Sequence, residues 1–331
     1  MKKVFLKLIC LGLFVSACSK PATQETVPAG GEKASASPAT PAAAEGESLY
    51  PVKQLGKSAF IDRTGKIVLA AKYDQADRFS EGLAQVMVNG KWSYIDKTGN
   101  VVIDLKDIPK VDLIHPFSDG LAGVFTGSKF GCIDKTGKMV IKPEFDVIGR
   151  FTQGIAPAMK AGKFTYIDKE GNAVTVNSQV ILGGPFFEGL AQANINDKWG
   201  YMDRAGKVVI EPQFERAERF SEGLAPVVIG NKFGFIDKTG KKVIDPQFED
   251  AGRFSEGLAA VKSGGKYGYI DKSGNMVIKP QFDDADYFSG GIGRVATGGK
   301  VGRMLITEFA EVRGKVGYID KTGKYVWNPS F

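Results

Sequence analysis

From Leu49 to Phe331, apolar and polar residues alternate in short runs, and Gly or Pro punctuates them every 8–12 residues or so. The fifth of these units is the clearest, reading LAQANIN, then KWGYMDRAG, then KVVIEPQF. β-Branched and aromatic residues fill the runs, and no unit carries an apolar 3.6-residue period long enough for an ordinary helix. Each unit therefore reads as a three-stranded antiparallel meander. One Asp marks the same place in every unit, at Asp62, Asp96, Asp134, Asp168, Asp203, Asp237, Asp271 and Asp320, which makes eight units of about 34 residues.

That Asp opens the element DKTG between the second and third runs. Its carboxylate suits the first position of a type I turn, and the Gly three residues on suits the left-handed position of a G1 bulge. All eight units keep this Gly, from Gly65 to Gly323. A metal role for the Asp residues is disfavoured, because the dense alternating oxygen ligands of a calcium loop are missing. Upstream, FSEGLA places an aromatic at Phe79, Phe117, Phe151, Phe186, Phe220, Phe254 and Phe288, which predicts a ring wedged between neighbouring units. The prolines of PxF, at Pro143, Pro212, Pro246, Pro280 and Pro329, should end a strand or mark a sheet edge.

The pattern GLAxVxxxGKWGYIDKTGxxVIxPxF resembles the WG, or KWG, repeat family of bacterial proteins, over almost the whole stretch from Leu49 to Phe331. The namesake pair is intact only at Trp199-Gly200. It becomes Trp92-Ser93, Phe130-Gly131, Phe164-Thr165, Phe233-Gly234, Tyr267-Gly268 and Val316-Gly317 elsewhere, a tolerance that points to packing. The resemblance implies an interaction scaffold with no shared catalytic residues. The expected fold is all-β: eight meanders in an open or incompletely closed propeller-like or superhelical array, with a closed β-propeller as the alternative. The open form is favoured because the chain starts at the first run of one unit and stops at the last run of another.

The N-terminus changes the expected address. A basic start and an apolar run from Val4 to Val15 read as a secretory signal over residues 1–17, too short to span a membrane. VSAC, ending at Cys18, resembles the lipobox of bacterial lipoproteins, which implies acylation of the Cys18 thiol. Residues 18–48 then form a polar tether whose composition cannot support a core, with a typical reach of roughly 30 Å. The repeat domain follows over 49–331. Without the signal, Cys132 is the one thiol besides Cys18, so no internal disulfide framework is expected. Formal charge falls from +7 to a balance of 41 basic against 37 acidic residues once Lys2, Lys3 and Lys7 are removed, too weak to argue for nucleic acid.

Candidate chemistry is sparse. The single histidine, His115, lies at a strand boundary and reads as a hydrogen-bonded structural residue; Cys132 stands where other units hold Tyr and reads as a small apolar substitute. Motifs for a serine nucleophile, a phosphate loop, HExxH or CxxC do not occur. The residue after each turn Asp is basic, at Arg63, Lys97, Lys135, Lys169, Arg204, Lys238, Lys272 and Lys321, so a basic row is expected on one surface. Such a row suits an acidic polymer or partner, or simply keeps turn tips soluble. The period is broken most strongly between Thr297 and Lys315, where Arg303, Met304, Leu305, Ile306, Phe309 and Arg313 suggest an interface or a cap over the last unit. The expectation is a non-enzymatic binding or scaffolding module of the cell envelope, lipid-anchored at Cys18 and, in a host with two membranes, held at the outer one. It takes an envelope protein or an acidic or carbohydrate polymer as partner, with no cofactor, no metal and no nucleic acid, and touches the membrane only through its anchor. The alternative is a carbohydrate-active or other hydrolytic envelope enzyme, since carboxylates are plentiful.

Overall fold

In the computed structural model, which describes residues 48–298 and 315–328, every regular element of the described residues is a β-strand. The sixth unit shows how the sequence makes them. Strands Leu224–Ile229 and Lys232–Asp237 pair across a tight turn at Gly230 and Asn231, both at positive φ. The chain then turns at Asp237: the Gly240 N–H donates to the Asp237 carbonyl at 3.0 Å, and the Asp237 N–H donates to the Lys241 carbonyl at 2.9 Å. The Asp237 carboxylate accepts from the Thr239 N–H and hydroxyl and from the Lys241 N–H. The Thr239 hydroxyl bond is the largest of several contacts that hold this carboxyl below the ordinary range. Gly240 sits at φ 86°, as a G1 bulge requires.

Gly240→Val is expected to lower stability by about 1–3 kcal/mol, because it forces a β-branched residue to positive φ beside the Ile210 side chain, 3.1 Å from the added Cβ. Lys238→Ala, at the exposed tip of the same turn, should cost at most about 1 kcal/mol. Thermal denaturation midpoints compare the two; equal shifts would be inconsistent with the bulge.

The sheets are fuller than three-stranded meanders. In the sixth, the two-residue strand Arg216–Ala217 precedes the hairpin and Lys242–Phe248 follows it, giving four antiparallel strands in sequence order. Among the described residues, seven sheets have four strands and the first has three, Tyr50–Gln54, Lys57–Ile61 and Ile67–Tyr73. We call them blades one to eight. The prolines mark an edge rather than an end. Pro212, Pro246 and Pro280 lie inside seven-residue outermost strands, where a missing N–H breaks no ladder bond, and Pro329 lies outside the described residues.

The prolines accompany a kink. In blade six, Phe233 pairs with Phe248 and Phe235 with Ile244, so Gly234 alone faces Asp245, Pro246 and Gln247. The outer strand buckles over the glycine: a Cβ on Gly234 would lie 2.6 Å from the Ile244 carbonyl oxygen and 2.8 Å from the Pro246 nitrogen. Blades three, five and seven repeat this register at Gly131, Gly200 and Gly268. Blades two and four do not. Ser93 pairs directly with Asp104, and the outer strand beside Thr165 is only Ala173–Val174. Blade one keeps the kinked register with Ala59 in the glycine's place and Ala71 in the proline's; Ser93 and Thr165 stand where the kink is absent.

The core lies between blades rather than within them. Phe220, Phe254 and Phe288 are fully buried and pack on Tyr201, Phe235 and Tyr269 of the preceding blade, with ring centres 4.7, 5.0 and 4.8 Å apart. The Tyr201 hydroxyl continues across the junction to the Glu218 carbonyl, and the Ser221 hydroxyl to the Phe254 carbonyl, both at 2.7 Å. Each junction is thus apolar at its centre and hydrogen-bonded at its margin.

The array is propeller-like, and its ends meet. The Tyr50 hydroxyl of blade one donates to the Ser289 carbonyl of blade eight at 2.6 Å, and the Tyr318 hydroxyl donates to the Pro51 carbonyl at 2.9 Å. Tyr50, Val52, Ile61, Ile292 and Tyr318 share one buried cluster across that junction. Of the two arrangements open at the sequence level, the chain adopts the ring, and among the described residues no blade mixes strands from the two ends.

Candidate functional site

The segment that reads RFSEGL in blades two, six and seven, and is varied in the others, builds one face of the ring. In blade six it runs Arg219 to Leu224, with reciprocal bonds between Ser221 and Leu224 and positive φ at Glu222 and Gly223. This turn carries the Glu222 carboxylate to the next blade, where it accepts from the Gly257 N–H and the Lys272 ammonium, each at 3.1 Å. Burial works against the Glu222 charge, but Lys272 and the Gly257 amide outweigh it and hold the carboxyl below its ordinary range.

The same clasp joins Lys135 to Glu81, Lys169 to Asp119, Lys238 to Glu188 and Lys321 to Glu256, at 3.0–3.2 Å. Five members of the basic row are therefore partnered by an acid row from the preceding blade. Each pair is half-exposed and contributes about 1 kcal/mol or less. Arg63, Lys97 and Arg204 make no ion pair among the described residues. The position facing Arg204 is Gln153, and that facing Arg63 is Gly290; the two units that lack the acid are the two that carry arginine.

A second group of cations lies inside this belt, at the residue immediately before the anchoring phenylalanine. That position is Arg78, Arg150, Arg219 or Arg253 in four blades, Pro116 and Pro185 in two, and Tyr287 in blade eight. The Arg78 guanidinium Nη2 donates to Asp286 at 3.1 Å, although blade one stands between their blades. The Arg78 and Arg253 guanidiniums lie 4.7 and 3.5 Å from the centre of the Tyr287 ring, and Arg219 lies 4.0 Å from that of Phe187. Burial above all, then the neighbouring charges of Arg253 and Arg150, pushes the Arg219 pKa down to about 9. Residues of blades two, four, six, seven and eight that act on one another in this way must face the ring axis. They form the mouth of its central opening.

The arginine position is legible in the sequence as RF in four of seven units, one residue before the anchoring phenylalanine. Beside the mouth lies a cavity of about 220 Å³ lined by Ser48, Tyr50, Arg78, Lys97, Tyr287 and Ser289. Arg78 Nη1 is shut off from solvent there with no hydrogen-bond partner among the described residues.

His115 sits at a blade junction. Its N–H donates to the Gly123 carbonyl, its carbonyl accepts from Tyr94, and its ring packs on Phe130 with centres 5.1 Å apart. Burial lowers its pKa to about 4, so the ring is neutral, and its Nε2 has no partner among the described residues, unlike the hydrogen-bonded side chain expected. Cys132 is fully buried, in the place of the junction tyrosines, and burial pushes its thiol up to about 12. Neither is poised for chemistry at neutral pH. Cys18 and the segment with Arg303, Met304, Leu305, Ile306, Phe309 and Arg313 lie outside the described residues; the latter's flanks, Thr297 and Lys315, pair as a hairpin on the face opposite the arginines.

A family model described as WG containing repeat matches residues 59–92, 92–130, 130–164, 199–233, 233–267 and 267–300. Four of the six matches, 92–130, 130–164, 199–233 and 233–267, run from the aromatic of one blade's third strand to that of the next, so the sequence repeat straddles a junction. The interruption after 164 falls on blade four, which lacks the kinked outer strand. None of the curated proteins matches the chain. Among solved structures, it is similar to a eukaryotic initiation factor, at 9% identity and a TM-score of 0.55, over 85% of this chain and 95% of that one. It is also similar to the dihydro-heme d1 dehydrogenase NirN in complex with DHE, at 8% identity and a TM-score of 0.53, over 84% and 71% of the two chains. At such identities the likeness is one of fold alone.

Proposed function

Because the chain belongs to the family of WG-containing repeats, we propose that it is a non-enzymatic binding or scaffolding module of the cell envelope, tethered by a lipid on Cys18. One observation carries the scaffold reading: the motif is used up by architecture. The turn Asp holds its own loop, the Phe and Tyr fill junctions, the Gly lies under a kink, and five basic residues clasp acids of the preceding blade. What differs from blade to blade, the axial arginines and the 297–315 segment, is left for recognition. An envelope protein or an acidic or carbohydrate polymer suits those features.

The address rests on the N-terminal pattern. Cys18→Ala is expected to abolish incorporation of a fatty-acid probe and to move the protein from the membrane to the soluble fraction. Equal labelling of mutant and wild type would remove the lipid anchor from the reading. Capture of envelope components on the wild-type chain, lost on deletion of Arg303 to Arg313 at an unchanged melting temperature, would place the partner on the insertion.

A further inference from the structure

We propose that the arginine-lined mouth of the ring is a binding site for a phosphate-type oxyanion, free or carried on a larger molecule. This gives the binding module its ligand class and rests on that reading.

Four guanidiniums reach the mouth from four blades through the same loop position. Only Arg78 is ion-paired; Arg150, Arg219 and Arg253 have no such partner among the described residues. The nearby acids are already engaged. Asp286 holds Arg78, Glu218 holds Arg216 at 2.7 Å, and Asp77 accepts from the Arg78 N–H and from Gln85. Burial, the largest influence on Asp77, raises its pKa and so weakens its opposition to an incoming anion.

The chemistry of the donors narrows the ligand. Stacking on Phe187 and Tyr287 covers guanidinium faces and leaves the N–H edges as free donors, the geometry that recognises planar or tetrahedral oxyanions. A carboxylate carries one charge and two oxygens, enough for a single fork. Three unpaired guanidiniums call for a group with more charge and more acceptor oxygens, which phosphate supplies. A guanidinium does not give up its proton in a protein, so the depression at Arg219, caused first by burial and then by the like charges of Arg253 and Arg150, marks an unpaired cation that a bound dianion would stabilise. The buried Arg78 Nη1, next to the cavity that also holds Lys97 and Tyr50, provides a further unfilled donor at the same mouth.

The test titrates the full chain, in neutral detergent, with inorganic phosphate and with pyrophosphate. Parallel arms use phosphatidylcholine vesicles with and without phosphatidic acid. Saturable binding is expected, weakened about tenfold or more by Arg219→Gln or Arg253→Gln. Arg150→Gln, at an exposed side chain that leaves the fold untouched, should weaken it at an unchanged melting temperature. Lys238→Gln, in the outer belt, should leave it unaltered. Binding of the soluble probes alone identifies a soluble phosphate compound; binding confined to phosphatidic acid vesicles and lost in the arginine variants identifies a headgroup. No saturable binding in any arm, or equal losses in the belt and arginine variants, overturns the proposal. A cytosolic location would remove the envelope reading yet leave this titration unchanged, so the two fail separately.

Discussion

Gly234→Ala is expected to destabilise the ring by about 1–3 kcal/mol, unlike an exposed glycine-to-alanine change, which often stabilises. The added methyl would meet the Ile244 carbonyl oxygen at 2.6 Å and the Pro246 nitrogen at 2.8 Å, both backbone atoms that no side-chain rotation can move. Relief requires the outer strand to shift from the course set by Pro246 and by the pairing of Phe233 with Phe248; blade one, which holds Ala59 under the same register, has Ala71 in the proline's place. Ser93→Ala at the corresponding place in blade two should change stability by roughly 0.5 kcal/mol or less, because its outer strand runs in register. Denaturant midpoints would separate the two; a small shift for Gly234→Ala would mean that the strand is not held over the glycine.

Phe254→Ala should cost about 3–5 kcal/mol, the loss typical of a buried aromatic truncated to a cavity. The side chain is fully buried between blades six and seven, beside Phe235, Phe233, Leu224 and Ala259. Its removal also forfeits a tilted ring pair at 5.0 Å, a geometry that contributes about 0.5–1.5 kcal/mol beyond burial. Phe254→Leu should recover much of the loss by refilling the volume. A melting curve for Phe254→Ala close to that of the wild type would contradict a core placed between blades.

Much of this architecture was legible because it is local. The Asp237 turn is written in five consecutive residues, and the Phe anchors recur at a fixed distance from it. What the sequence did not show is mostly long-range. The two-residue innermost strands, such as Arg216–Ala217, are too short to give a period-two signal. The basic row looked free because its acids lie far back in the chain: Lys238 and the Glu188 it clasps are 50 residues apart. Ring closure depends on Tyr50 reaching Ser289, a contact across 239 residues that no local pattern encodes. The alternation of Gly with Ser93 and Thr165 at the third strand was visible, but its cause lies in a neighbouring strand whose register only the fold reveals.

The way the ends meet has a mechanical consequence. Many rings could be fastened by a strand contributed from the other end of the chain; among the described residues the fastening is made of side chains, with Tyr50, Tyr318 and the Arg78–Asp286 brace spanning the gap. The seam also lacks the acid clasp, because Gly290 stands where five other junctions place Glu or Asp. Tension pulling blade one away from blade eight would break these hydrogen bonds one after another without unzipping a sheet. Opening at the seam would therefore cost side-chain contacts alone, leaving the backbone ladder of each blade on either side intact.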